Sequence, residues 1–201
     1  IHERLVGSEM CIRDRIAGSG HFSDQWAIQT EGLGLSVMRT PHQEGQRIDV
    51  AAIESALRAD TQHCIAAVMV VQTDTASGIT SDLLAIREAI DRTGHPALYV
   101  VDVVASLGAT TFDMDALRAD VCLGSSQKGL MMPPGLGFVA ANAKALAWSQ
   151  QHAKPRYYWS WQERKTDNQS AKFCGTPPLA HLAGLEVSLG LLTVSYTHLR
   201  A

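Results

Sequence analysis

The segment Ile65-Ala-Ala-Val-Met-Val-Val71 constrains the fold more than any other part of the chain. An apolar run with no charge and no polar alternation describes a strand covered on both faces, as in the middle of a parallel sheet. A second such run, Ala97-Leu-Tyr-Val-Val101, stops at Asp102. Between the two, the spacing of Leu83, Leu84, Ile86 and Ile90 predicts a helix that turns those residues inward. Thr80 or Ser81 is expected to cap it and Gly94 to end it. A crossover of this length is what parallel neighbours need, since a tight turn cannot return the chain to the same end of the sheet.

The alternation continues in both directions. Leu35-Ser-Val-Met-Arg39 reads as a short strand after Gly32 and Gly34, and Asp49 as the cap of a helix reaching Ala59, with Val50, Ile53 and Leu57 on one face. Val121-Cys-Leu123 is a third apolar strand and leads into Gly-Ser-Ser-Gln-Lys-Gly at 124–129. After a turn at Pro133-Pro134-Gly135 comes another strand, Gly137–Ala141, and Asn142 starts a helix. The predicted fold class is α/β, a mainly parallel sheet with helices on both faces, formed as one layer system over about residues 16–150.

Composition narrows the partners. The chain is 18% charged with a formal net charge of −3, so it lacks the clustered basic residues that nucleic acid or an anionic membrane would require. No apolar run approaches the roughly 20 residues of a membrane-spanning helix. The cysteines at 11, 64, 122 and 174 form no C-x-x-C pair and the histidines no H-x-x-x-H pair. Neither a metal site nor a disulfide framework is expected, and the thiols read as reduced and mostly buried in a cytoplasmic protein. Gly18-Ser-Gly20 is a weak dinucleotide signal, with no third glycine and no clear strand before it. Trp26, Trp148, Trp159 and Trp161 read as core or interface residues, Arg87 and Arg92 as a solvated helix face, and His95 and His181 as structural.

In open α/β sheets, ligands bind beyond the carboxyl ends of the strands. Three polar clusters fall there: Gln72–Gly78, Asp102 and Ser125-Ser-Gln-Lys128. A lysine and a carboxylate converging on one rim suit pyridoxal 5'-phosphate, whose aldehyde takes the amine and whose ring nitrogen takes the acid. A lysine after a strand is more often solvated, however, and an aspartate at a strand end is more often a cap. Spacing alone leaves both readings open.

The strings themselves go further. Val101-Asp-Val-Val-Ala-Ser-Leu-Gly-Ala109 and Gly124-Ser-Ser-Gln-Lys-Gly-Leu-Met-Met-Pro-Pro-Gly-Leu-Gly-Phe138 closely resemble two signature segments of class V aminotransferases, above all the serine–glyoxylate and alanine–glyoxylate branches. The likeness spans about residues 16–193 and includes Thr73–Gly78, Pro155–Trp161 and Cys174-Gly-Thr-Pro-Pro178. It implies the large cofactor domain of the fold type I pyridoxal-phosphate enzymes. By the same resemblance Lys128 is the lysine that holds the cofactor and Asp102 the partner of its ring nitrogen. Val104 lies against the ring, Gln127 binds the phosphate, and Thr75 is the hydroxyl residue near the cofactor. Thr176 is a phosphate ligand reaching into the neighbouring subunit of a homodimer. The implied reaction carries an amino group from serine or alanine to glyoxylate or pyruvate. Three departures stand out: Phe173 where the family has tyrosine, Asp74 for a glutamate, and Ala76 for a serine. The alternatives are a desulfurase or lyase on the same scaffold, although desulfurases carry a histidine where this chain has Gln127, and a non-catalytic dimerising α/β module.

The ends look foreign. Residues 8–15, Ser-Glu-Met-Cys-Ile-Arg-Asp-Arg, and 195–201, Ser-Tyr-Thr-His-Leu-Arg-Ala, resemble translated sequencing-adapter read-through. Residues 1–15 and 194–201 are therefore set aside, leaving 16–193 as a partial cofactor domain truncated at both ends. A C-terminal small domain carrying the substrate-carboxylate arginine is expected to be missing, as are an upstream part of the phosphate site and the aromatic that stacks on the ring. The chain alone is expected to be inactive.

Overall fold

The computed structural model describes residues 13–41, 45–152 and 157–198. Eight strands run in chain order: β1 (Arg13–Ala17), β2 (Ser36–Thr40), β3 (Ile65–Val71), β4 (Thr73–Asp74), β5 (Ile79–Thr80), β6 (Leu98–Asp102), β7 (Val121–Ser125) and β8 (Gly137–Ala141). The helices are α1 (His21–Gly32), α2 (Val50–Ala59), α3 (Leu83–Thr93), α4 (Met114–Leu117), α5 (Ala143–Gln151), α6 (Trp161–Arg164), α7 (Gln169–Phe173) and α8 (Leu179–His198). Six strands form one sheet in the order β2-β1-β3-β6-β7-β8, while β4 and β5 form a separate hairpin. Every pairing in the large sheet is parallel except β7 with β8. The chain leaves β1 for one edge and returns to β3 on its other side, so strand order reverses between β1 and β3. A crevice opens at such a reversal.

The expected two-faced burial is present. Val68, Val70, Tyr99, Val101 and Cys122 belong to one core cluster with Ile53 and Leu57 of α2 and Ile86 and Ile90 of α3. The alternate residues Ala67, Leu98 and Val121 point to a second cluster with Ala145 and Trp148 of α5. Side chains alternate along a strand, so an unbroken apolar run feeds both layers. Three local signals hold as read: the side chain of Asp49 accepts from Ala52 N–H at 3.0 Å, that of Asn142 from Ala145 N–H at 2.9 Å, and Gly94 ends α3 at φ 64°.

Other expectations are corrected. The N-cap of α3 is Asp82, bonded to Ala85 N–H at 3.0 Å. Ser81 instead donates to the Val71 carbonyl at 2.8 Å, tying the helix entry to β3, and Thr80 belongs to β5. Leu84 is exposed rather than inward-facing. Arg87, read as solvated, is buried: it pairs with Asp91 at 2.7 Å and lies 5.6 Å from the Tyr99 ring centre. Trp148 and Trp161 pack against the second cluster, whereas Trp159 is exposed. Of the described cysteines only Cys122 is buried, which pushes its thiol up to about 11; Cys64 and Cys174 are half-buried, and Cys11 lies outside the described residues. His95 is structural, as read: its Nε2 meets Asp60 Oδ2 at 3.2 Å and its Nδ1 accepts from Ala97 N–H at 3.1 Å.

A strand does precede Gly18, namely β1, and it includes Arg13, Asp14 and Arg15, which the sequence reading sets aside. Asp14 pairs with Val37 on one side and Ala67 on the other, and burial pushes its carboxyl up to about 6. A carboxyl whose folded pKa is raised holds its proton more tightly in the folded state. Its stability contribution is therefore complete below the unfolded pKa and is lost as pH rises through about 6. Asp14→Val is expected to stabilise the chain by about 3 kcal/mol at pH 7, with the gain fading toward pH 4. Urea midpoints of both forms between those pH values check this; parallel pH profiles would refute it.

Candidate active site

The parallel strands end together, and the residues that follow them share one rim. Asp102 is the last residue of β6, flanked by Val71 of β3 and Leu123 of β7. The chain then turns sharply: Val103 N–H donates to the Leu123 carbonyl at 2.8 Å, and Val104 N–H to Asp102 Oδ1 at 2.7 Å. Asp102 is 9% exposed. Burial raises its pKa; the Val104 N–H opposes that shift and the nearby Asp74 carboxylate adds to it. The other oxygen, Oδ2, accepts no hydrogen bond among the described residues. Val104 itself is half-buried beside it.

Lys128 follows the end of β7 in a loop that returns to β8. Ser126 clasps this loop at its base: its N–H donates to the Leu136 carbonyl at 3.1 Å, its hydroxyl to the Pro133 carbonyl at 2.8 Å, and its carbonyl accepts from Met132 N–H at 3.1 Å. Gln127 and Lys128 are exposed beyond that clasp. Among the described residues the Lys128 ammonium has no hydrogen bond or ion pair.

What joins the lysine loop to the Asp102 turn is backbone laid on backbone. A Cβ at Gly129 would stand 2.8 Å from the Ala109 nitrogen, and one at Gly108, where φ is 80°, would stand 2.9 Å from the Gly129 carbonyl oxygen. Only glycine permits that approach. Nearby, Ser106 Oγ donates to Gln72 Oε1 at 2.5 Å, and Gln72 N–H to the Asp102 carbonyl at 2.9 Å. Three strand ends are thus linked in one network.

A third part comes from the β4–β5 hairpin, with Thr75 exposed on its turn. Asp74 is fully buried and accepts from Phe22 N–H at 2.9 Å and Ala76 N–H at 3.1 Å. It thereby satisfies a free amide in the first turn of α1, where a carboxylate also suits the helix dipole. A Cβ at Gly20 would lie 2.8 Å from Asp74 Cγ. The turn and the carboxylate therefore leave each other no spare room. Ser77 Oγ adds a bond to the Ser19 carbonyl at 3.0 Å. Sequence reasoning missed this set. The signal was Gly18-Ser-Gly20, weighed only as a dinucleotide loop, with Phe22, 41% exposed, two residues beyond it.

Two buried hydroxyls on the rim lack a hydrogen-bond partner among the described residues: Ser19 Oγ after β1 and Ser125 Oγ at the end of β7. Such groups cost about 1–3 kcal/mol each unless something pairs with them. With an open carboxylate oxygen and an amine that has no partner among the described residues on the same rim, these are the kinds of group that an anionic, carbonyl-bearing heterocycle would use. Thr176 stands differently. It is exposed between α7 and α8 and makes no hydrogen bond to the rim residues of its own chain. Among the described residues no cluster could hold a metal ion, and no helix is long and apolar enough to cross a membrane.

Comparison with known proteins agrees with this geometry. The family profile described as Aminotransferase class-V matches residues 16–200. A serine–glyoxylate aminotransferase of Methylorubrum extorquens is 39% identical over 96% of this chain and 50% of its own length. An L-aspartate–glyoxylate aminotransferase of Paracoccus denitrificans is 36% identical over 92% of the chain and 48% of its own length. In structure, an alanine–glyoxylate aminotransferase from Nostoc sp. superposes with a TM-score of 0.78 at 23% identity, over 90% of this chain and 47% of that one, which shows a shared fold. The chain spans about half the length of the curated relatives it matches. With its mostly parallel sheet, glycine-joined strand ends and matched profile, the chain belongs to the class V aminotransferase family.

Proposed function

We propose that the protein is a pyridoxal-phosphate-dependent transaminase that moves an amino group from serine or alanine to glyoxylate or pyruvate. One observation carries this reading: Lys128, an unpaired amine, and Asp102, a buried acid with one open oxygen, leave adjacent strand ends that are locked together at Gly108 and Gly129. The Methylorubrum and Paracoccus relatives are both named for glyoxylate, which supports the acceptor.

When bound, the cofactor supplies an electron sink for the carbon that loses its proton. The protein does the rest. Asp102 would hold the ring nitrogen through Oδ2, and a cation there would return the raised pKa of the acid toward the charged form. Lys128 Nζ would hold the cofactor aldehyde at rest; once the donor's own amine takes its place on that carbon, the freed Nζ would serve as the base that removes the donor's α-proton and returns it. Val104 covers one ring face. Phe22, exposed at the start of α1, would cover the other. Ser19, Thr75, Ser125 and Gln127 offer hydroxyls and an amide to the phosphate. Thr176 serves the neighbouring subunit of a homodimer, and the small amino and oxo acid substrates suit a cytoplasmic enzyme.

The test uses the complete gene product. It is expected to be yellow as purified, and borohydride reduction followed by peptide mapping should leave a pyridoxyl group on Lys128. Serine or alanine added without acceptor should give one equivalent of oxo acid per site. Release of sulfide or ammonia instead would select the desulfurase or lyase, and a folded, colourless protein the non-catalytic module.

A further inference from the structure

The loop that carries Lys128 is clasped at its base, where Ser126 bonds Met132 and Pro133, and its outer part, residues 130–135, lies beyond the strands. Met131 there is exposed with φ at 55°, so the chain reverses direction without sheet support. Besides the Ser126 clasp and the Gly108 turn, one stripe of α8 meets this side of the loop.

His181, Gly184 and Ser188 are three and four residues apart, and so lie on one face of the helix. Each meets the loop at a successive point. His181 Nε2 is 3.1 Å from the Pro134 carbonyl oxygen. A Cβ at Gly184 would touch Met132 Cε at 3.3 Å. Ser188 Oγ donates to the Leu130 carbonyl. The helix advances as the loop position falls from 134 to 132 to 130, so the three contacts form one antiparallel seam. Its tightness shows at Gly135, where φ is 149° and a Cβ would collide with His181 Nε2 and stand 2.7 Å from its Cδ2.

Ser188 is the firmest point of the seam. It is 5% exposed, while Val187 and Leu189 on either side are 64% and 46% exposed. A serine inside a helix commonly returns its hydroxyl to its own preceding turn. Here the hydroxyl crosses to the carbonyl two residues after Lys128, next to the turn that Met131 N–H closes on the Lys128 carbonyl at 2.9 Å.

We propose that α8 is a strut that fixes the position of Lys128, with Ser188 and His181 as positioning residues that act through the Leu130 and Pro134 carbonyls. The proposal deepens the reading of Lys128 as the cofactor lysine and rests on it. Neither residue touches the reacting atoms. Their work is to keep the amine at one height above the rim, at which it can both hold the aldehyde and reach the donor's α-carbon. A 1 Å error in such a position is costly to catalysis.

The test is amide hydrogen exchange on the full chain without cofactor, comparing wild type with Ser188→Ala, His181→Ala and Ser188→Thr. In the two alanine variants the Met131, Met132 and Leu136 amides should exchange roughly tenfold faster, the scale of one lost hydrogen bond. The β3 and β6 amides should keep their wild-type rates, and Ser188→Thr, which retains a hydroxyl, should restore protection. Unchanged loop exchange in a folded Ser188→Ala would overturn the strut. So would faster exchange throughout β3 and β6, which marks general loosening. Should Ser188→Ala fail to fold, His181→Ala at the more open end of the seam decides by the same two criteria. Borohydride mapping of the wild type tests the cofactor assignment separately: a responsive loop in a protein that takes up no cofactor would support the strut and remove the cofactor reading.

Discussion

Lys128→Ala is expected to lower transamination by the complete protein by roughly 10⁴-fold, at the upper end of what one acid–base group supplies. The side chain is assigned two jobs, holding the aldehyde and moving the α-proton, and no other described amine is placed to take them over. Lys144 is the other lysine tied to the sheet, but its Nζ is engaged with the Ala97 carbonyl at 2.9 Å and Asp120 at 3.1 Å, and Ala97 immediately precedes β6, at the opposite end from Asp102. Stability should barely change, because Lys128 is exposed and makes no side-chain bond among the described residues. The decisive measurement pairs turnover with borohydride labelling. Turnover within tenfold of wild type, or a pyridoxyl group elsewhere in the variant, would remove Lys128 from the mechanism.

Asp102→Asn should cut turnover by about 10²- to 10³-fold, the usual loss when one preorganised electrostatic partner is removed. The amide keeps the shape and can still accept the Val104 N–H through its oxygen, so the turn survives while the negative charge is lost. Without cofactor the sign reverses. Burial raises the pKa of Asp102, so its contribution to stability is complete below the unfolded pKa and is lost as pH rises through the folded one. The asparagine variant should therefore be the more stable cofactor-free protein at neutral pH, and the less active one once loaded. Thermal midpoints of both cofactor-free forms at pH 4 and pH 7 check the first half. An asparagine variant of wild-type activity would show that the acid serves only the fold.

The sequence put both residues on one rim because Asp102 directly follows an apolar run and Lys128 follows the Val121–Leu123 run after a short loop, while their roles came only from the resemblance. The caps at Asp49 and Asn142 were legible for a related reason: a side chain bonding an amide three residues on is decided locally. At α3, local information was insufficient. Ser81 and Asp82 are both good caps, and the choice falls to Asp82 because the Val71 carbonyl takes Ser81. Arg87 looked solvated by type, yet Tyr99 offers its stem and guanidinium a ring surface that no helical periodicity reveals. The Asp74–Phe22 contact was hidden for a different reason: it requires β1, and residues 13–15 had been set aside as foreign. Thr176 is legible only through resemblance, since within one chain it faces solvent.

The paired glycines at 108 and 129 have an evolutionary consequence. Because the two turns meet main chain to main chain at these glycines, side chains around them other than those of the α8 seam are free to drift without disturbing that contact. A scaffold of this kind can change its preferred amino donor by substitutions around the rim and still keep its chemistry. Relatives in the family are named for serine, aspartate and alanine.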